Sequence, residues 1–397
     1  MRRFWLGGLL ALASCGRFEF DSAPPRDGGS TVDDDAPDAP PPALTSTLRL
    51  VAGVTSVDVE VCTSRSARIV HVVTTEAWPP AWDRAYLEQQ IADGSTILAT
   101  DEREQATGGC ATITHKGFTQ DRLALNVYAV ADVASTGERD QQTAAGALQP
   151  MLEQVSYDIA GHTQRYWIHK PESYYRDPAA PLPVLLFLAG SGEDGNDAGV
   201  NFTLMPNRGL LSSFTQRRAA VVELPFLVVA PQCNTDRATC WGWIGQMANL
   251  DEVLAHVRPS YTFVDERIYV TGLSTGGEGA WRYAIYSRAR PGGPAMAAAV
   301  PIAATYTDAT WYNNNLCTMS PVPVWAFHNS DDPTQPVTNS RTLVSQLAAC
   351  PTSPTVAPQL DEGTGGHNAW SNVYNGTHAF TNDGESSVYA WLLSFTL

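Results

Sequence analysis

The sequence predicts an α/β fold on a doubly wound, mostly parallel sheet over residues 150–397, preceded by a small all-β unit over residues 44–148. Three observations carry this. In the second segment, apolar runs at 184–188, 227–230, 268–270 and 324–327 alternate with helical stretches at 247–257, 277–287 and 340–349. Continuous apolar strands between helices belong to a parallel sheet covered on both faces. In the first segment, short β-rich runs at 48–51, 57–61, 67–73, 110–115 and 123–130 follow one another, with one helical interruption at 82–92. Residues 16–43 fit neither pattern. They hold seven acidic residues against two arginines, with Pro24, Pro25, Pro37 and Pro40-Pro41-Pro42, and too little apolar surface to offset the entropy of ordering.

The elements follow in chain order. Arg2 and Arg3 precede an uncharged, largely apolar run over 4–13, too short to span a bilayer but fitting an export signal. The run closes on Leu12-Ala13-Ser14-Cys15, which resembles a bacterial lipobox, where cleavage leaves a diacylglyceryl-modified cysteine as first residue. Residues 1–15 are therefore expected to be a lipoprotein signal with Cys15 as membrane anchor, and 16–43 an extended tether. The expected location is exported: a bacterial envelope lipoprotein or an extracellular protein. An ordinary secretory signal with an incidental cysteine is the alternative.

Setting Cys15 aside leaves six cysteines, which allow fifteen pairings. Sequence neighbourhood favours 62–110, 233–240 and 317–350, bonds that an oxidising compartment permits. None of the six has zinc-ligand spacing, so no metal is expected. Over residues 44–148, Val57, Val59 and Val61 alternate with Asp58 and Glu60, a half-buried strand pattern. The segment reads as a small sandwich, immunoglobulin-like in the broad sense and stapled by Cys62–Cys110. It presents no catalytic constellation.

Composition narrows the function. Of 397 residues, 44% are hydrophobic and 17% charged, enough for a large core. The net charge of -16 argues against nucleic acid and against electrostatic attachment to anionic lipid.

The chemistry is carried by Gly272-Leu273-Ser274-Thr275-Gly276, which lies between an apolar strand and a helical stretch. A turn this sharp needs small residues around a serine held in a strained backbone, which lifts Oγ above the sheet. A serine hydroxyl needs a base, and that base needs an orienting group. Only His328, His367 and His378 lie downstream. His367 follows Gly363-Thr364-Gly365-Gly366, a loop able to deliver an imidazole. The apolar run 322–327 ends in His328-Asn329-Ser330-Asp331-Asp332, placing a carboxylate at the carboxyl edge of the sheet. Ser274, then Asp331 or Asp332, then His367 is the chain order of α/β-hydrolases. His328 reads as a structural strand-end residue.

Residues from about 165 to 395 resemble secreted carboxylesterases grouped with feruloyl esterases, polyhydroxybutyrate depolymerase-like and dienelactone hydrolase-like proteins. Five segments carry the resemblance. They are 185–195; Val228-Val229-Ala230-Pro231-Gln232 with Trp241 and Trp243; 265–277; 324–337; and Gly366-His367-Asn368-Ala369-Trp370. In such families the acid stands five positions into a His-Gly-x-x-Asp-x-x-Val-Pro stretch, which implies Asp332 over Asp331. The resemblance implies an α/β-hydrolase fold, a Ser274–His367–Asp332 triad, and backbone N–H groups of Thr275 and Ser191 as the oxyanion hole. Two departures stand out. Ala189 replaces the usual histidine of Leu-His-Gly, which is expected to loosen the oxyanion loop, and Asn329 replaces the usual glycine after His328. Trp241, Trp243 and Trp370 are read either as an aromatic-acyl pocket or as packing.

The reading is ester hydrolysis through an acyl-enzyme, needing no cofactor. The substrate is a feruloyl or acetyl ester on polysaccharide, a short-chain ester, or a polyester oligomer; the sequence does not choose. A prolyl-oligopeptidase-type peptidase shares the triad but comes with a propeller, for which residues 44–148 are too short. A non-catalytic surface lipoprotein on a hydrolase scaffold is the other rival.

Overall fold

Every strand that contributes to the chemistry ends on the same edge of one eight-stranded sheet. The computed structural model describes residues 42–105, 107–290, 292–377 and 387–397. The expected signal, Cys15 and the tether through residue 41 lie outside the described residues. Residues Leu44–Leu397 form one compact unit.

Its first part holds two antiparallel sheets. One has the order β1 (Ser46–Ala52), β2 (Ser56–Thr63), β5 (Gly109–Lys116); the other has β4 (Ile97–Gln105), β3 (Ala67–Thr74), β6 (Ala124–Val133), β7 (Glu138–Ala147). Val57, Val59 and Val61 of β2 meet Ile69 and Val73 of β3 and Leu125 and Val127 of β6 in a core between the sheets. The alternation along β2 is thus an inner face against an outer one. The outer face of β3 and β6 is covered as well: Trp78, Trp82 and Leu87, from the loop before and the first turn of helix Arg84–Asp93, pack on Val70, Val72 and Val130. Cys62 and Cys110 face each other across β2 and β5 and are disulfide-bonded. Polar strands β4 and β7 were not anticipated; neither carries the β-branched pattern that marks a strand in a sequence.

The second part is the eight-stranded sheet. After β8 (Glu153–Ile159) and β9 (His162–His169) come β10 (Leu182–Leu188), β11 (Leu227–Pro231), β12 (Phe263–Leu273), β13 (Ala298–Ile302), β14 (Trp325–Asn329) and β15 (Gln359–Gly363). The order is β15-β14-β13-β12-β10-β11-β9-β8. The six strands from β10 onward run parallel, and the β8–β9 hairpin adds antiparallel to the β11 edge. Val184, Leu186 and Leu188 of β10 point into one core while Leu185 and Phe187 point into the other, which is why the run is apolar without interruption. Helices Met247–Val257, Thr275–Ala289 and Thr338–Ala348 run at the predicted positions to within two residues at either end. Cys233–Cys240 and Cys317–Cys350 are both formed.

The two parts share apolar surface, since Val54 joins Met151 and Leu152 in a core of the large sheet. Polar contacts latch the junction: Glu172 accepts from the hydroxyls of Thr55 and Ser56 at 2.8 and 3.0 Å, and Arg176 pairs with Asp58 at 2.6 Å. No helix among the described residues is long and apolar enough to cross a membrane.

Candidate active site

The chain passes from β10 to β11 on one side and then returns to place β12 on the other side of β10. That reversal opens a crevice at the carboxyl ends of the strands, the usual location of a ligand site in such sheets. Ser191 follows β10, Ser274 follows β12, Asp332 follows β14 and His367 follows β15.

Ser274 occupies the turn between β12 and helix Thr275–Ala289 at φ 56° and ψ -119°, a left-handed region that non-glycine residues rarely enter. The neighbours dictate the flanking glycines. A Cβ on Gly272 would lie 2.2 Å from the Gly276 carbonyl oxygen, and one on Gly276 would lie 2.1 Å from that of Leu188. The end of β13 pins the turn: Ser274 N–H donates to Ile302 at 2.9 Å, and Thr305 N–H donates to the Ser274 carbonyl at 3.3 Å. Below it, the buried Glu278 carboxylate accepts from Arg282 at 2.8 Å and from the Thr307 hydroxyl at 2.6 Å, fixing the helix against the sheet.

His367 Nε2 lies 3.0 Å from Ser274 Oγ, and its Nδ1 lies 2.6 Å from Asp332 Oδ2. The Asp332 side chain is shut off from solvent. Its other oxygen accepts from the backbone N–H groups of Thr334 and Gln335 at 2.8 and 2.9 Å. Burial alone would raise this carboxyl, but the bonds from His367, Gln335 and Thr334 outweigh it and hold the group below the ordinary aspartate value. Asp331, next in sequence, faces elsewhere and accepts from Gly365 and Gly366 N–H. His328 is buried, with Nδ1 2.8 Å from the Ser340 hydroxyl and Nε2 2.9 Å from the Gln335 carbonyl; burial lowers its pKa, against the pull of the Gln335 carbonyl and Asp332. It backs Asp332 at 3.2 Å.

Thr275 is the first residue of its helix, so its N–H is one of those a helix leaves without an internal acceptor, at the positive end of the helix dipole. Ser191 lines the same cleft. The loop after β10, where Ala189 stands in place of the usual histidine, is braced by other residues. Gly190 N–H donates to the buried Glu193 carboxylate at 2.9 Å, Arg208 holds that carboxylate at 3.1 Å, and Gln232 grips the Glu193 carbonyl at 3.0 Å. Burial pushes the Glu193 carboxyl up, against the pull of Arg208 and the Gly190 N–H. Sequence reasoning missed Glu193 and Gln232 as braces, although both sat inside segments that carried the resemblance.

The cleft encloses about 610 Å³, bordered by Ser191, Arg208, Trp241, Ser274, His367 and Trp370. Trp241 is 54% exposed at its rim, and the rings of Trp370 and His367 meet nearly perpendicular with centroids 5.1 Å apart. Trp243 belongs to the core instead. It is 1% exposed, and its indole N–H donates to the Ala189 carbonyl at 3.1 Å, so it supports the loop after β10 from beneath and stands outside the lining of this cleft. Among the described residues, one grouping has the donor spacing of a metal site: Asp194 beside Cys233 and Cys240. Those sulfurs are joined in a disulfide and offer no thiolate.

No family model matches the sequence, and no curated protein matches it. Solved structures do. A thermostable esterase is similar over 89% of this chain and all of its own length, at 19% identity and a TM-score of 0.48. A feruloyl esterase module from Clostridium thermocellum is similar over 56% of this chain and 84% of its own, at 15% identity and a TM-score of 0.44. An S-formylglutathione hydrolase from Agrobacterium tumefaciens is similar over 56% and 91%, at 14% identity and a TM-score of 0.41.

Proposed function

We propose that this protein is a serine carboxylesterase of α/β-hydrolase type. One observation carries the proposal: a serine at positive φ on a strand-to-helix turn, 3.0 Å from an imidazole that is itself 2.6 Å from a buried carboxylate. In this reading Ser274 Oγ attacks the ester carbonyl as His367 Nε2 takes its proton. The Thr275 and Ser191 N–H groups receive the oxyanion, and His367 returns the proton to the departing alcohol. Water then repeats the sequence on the acyl-enzyme and frees the acid. Asp332 holds the Nδ1–H tautomer and stabilises the imidazolium.

Ser274→Ala is expected to lower hydrolysis of p-nitrophenyl acetate on the order of a million-fold with the fold intact. It should also abolish labelling by a fluorophosphonate probe. Wild-type turnover in the variant would remove Ser274 from the role. A panel of aryl and short-chain esters then sorts the substrate class.

The three disulfides support export, since such bonds persist in oxidising compartments. The further reading is that Cys15 carries lipid; a diacylglyceryl group plus an amide-linked acyl chain suffices for stable anchoring. Mass spectrometry of the mature amino terminus tests this. An unmodified first residue downstream of Cys15 would replace the anchor with ordinary secretion.

A further inference from the structure

We infer that Asn329 and Asp331 are positioning residues that grip the loop of the general base; the inference rests on the esterase reading above. On its amino-terminal side His367 is joined to the sheet through the loop 364–366 after β15, in which Gly365 and Gly366 adopt φ 136° and 70°. Glycines in such conformations lose more freedom on ordering than any other residue, so the backbone alone does not fix the imidazole. Side chains at the end of β14 supply what is missing. The Asp331 carboxylate accepts from Gly365 N–H at 2.9 Å and from Gly366 N–H at 3.0 Å. The Asn329 amide donates to the Gly366 carbonyl at 2.9 Å. Ser330 closes the start of the loop, its N–H and hydroxyl both donating to the Gly363 carbonyl at 2.8 and 3.0 Å.

Gly366, the residue before the base, is therefore held on its N–H by Asp331 and on its carbonyl by Asn329. The turn 329–332 both grips the base and delivers its acid, so the two move as one piece. Asn329 adds an independent argument. It is 1% exposed, and its Oδ1 is buried without a hydrogen-bond partner. A half-satisfied buried amide is destabilising, and glycine there would avoid it. Its donor to Gly366 is the compensation visible in the structure. The backbone N–H groups of Gly366 and Gly365 hold the Asp331 carboxyl below its ordinary value.

The test compares Asp331→Ala, Asn329→Gly and Asp331→Asn, the last keeping one acceptor oxygen. Misplacing a base by about 1 Å costs up to about a hundredfold, so Asp331→Ala is expected to lose roughly that much kcat, with KM within about twofold. Asn329→Gly should lose less, and Asp331→Asn should recover part of the loss. Proton NMR reads the same point without turnover, through the downfield resonance of His367 Nδ1–H on Asp332. That signal should broaden or vanish in Asp331→Ala and persist in the wild type. A sharp resonance with unchanged kcat in both Asp331→Ala and Asn329→Gly overturns the inference. So does a loss of kcat that matches the unfolded fraction in a thermal melt. If the wild type turned over no ester, the functional reading would fail, while the resonance would still decide the grip.

Discussion

The antiparallel part of this molecule and its parallel part both bury β-rich strands against one another, yet only the second assembles a reactive cluster. In the first, successive strands end on opposite sides, so the loops that leave them scatter, and a histidine pair, one member buried and the other half-buried, sits between its sheets. His71 and His115 touch there, Nε2 to Nε2 at 2.8 Å, away from any cleft. In the second, six parallel strands end on one edge, and four of the loops leaving them carry Ser191, Ser274, Asp332 and His367 to one point. Strand direction, more than composition, gathers the site. It follows that substitutions at the carboxyl edge should remove turnover and spare stability, whereas those in the antiparallel part should do the reverse.

After the loss expected of Ser274→Ala, the next largest effect tests the first half of that statement. Asp332→Asn keeps an oxygen for the Thr334 and Gln335 N–H groups but removes the charge facing His367 and favours the wrong tautomer. Turnover is expected to fall by about ten-thousand-fold, while the denaturation midpoint at pH 7 moves little. Stopped assays on purified protein with matched urea melts check both numbers. A melt that collapses together with turnover would show that the edge is structural as well as chemical.

What the sequence made legible follows the same division. Ser274 and the pair Asp331-Asp332 could be read because each follows a continuous apolar run that marks a parallel strand; the family resemblance implied Asp332 of the two, and His367, whose strand β15 is polar, was read from its glycine-rich loop and its place in the chain order. Strands β4 and β7 were missed because their exposed and half-exposed residues, such as Glu102, Glu104, Gln141 and Gln142, carry no apolar alternation. The hairpin β8–β9 escaped for a related reason: β8 is the edge strand and buries little, and β9 opens on the polar run His162-Thr163-Gln164-Arg165. Trp243 shows another limit. Its sequence neighbour Trp241 is exposed at the cleft rim, and nothing in the one-dimensional pattern tells the two apart. The braces of the loop after β10 and the contacts on the loop before His367 were out of reach because both join residues apart in the chain, such as Glu193 with Arg208 and Asp331 with Gly366.

The smallest effect sharpens the second half of the comparison. Burial, with His115 close by and Arg103 nearby, lowers the His71 pKa from 6.5 to about 4, although Asp101 on the neighbouring strand pulls it up. Burial likewise lowers His115. A histidine held neutral in the fold and protonated once unfolded contributes stability that is fully present above pH 6.5. That contribution is lost as pH falls towards 4. The shift at His71 corresponds to roughly 3 kcal/mol of pH-dependent stability at most, lost across that window. His71→Gln, which cannot titrate, should flatten the fall of the urea midpoint between pH 6.5 and 4. Part of the slope should remain, because the buried His169 is also lowered to about 4. Ester turnover of the variant at pH 7 should stay within about twofold of wild type, since His71 touches no residue of the cleft. An unchanged acid slope would remove His71 as its source, and a large loss of turnover at pH 7 would show that the antiparallel part reaches the catalytic edge after all.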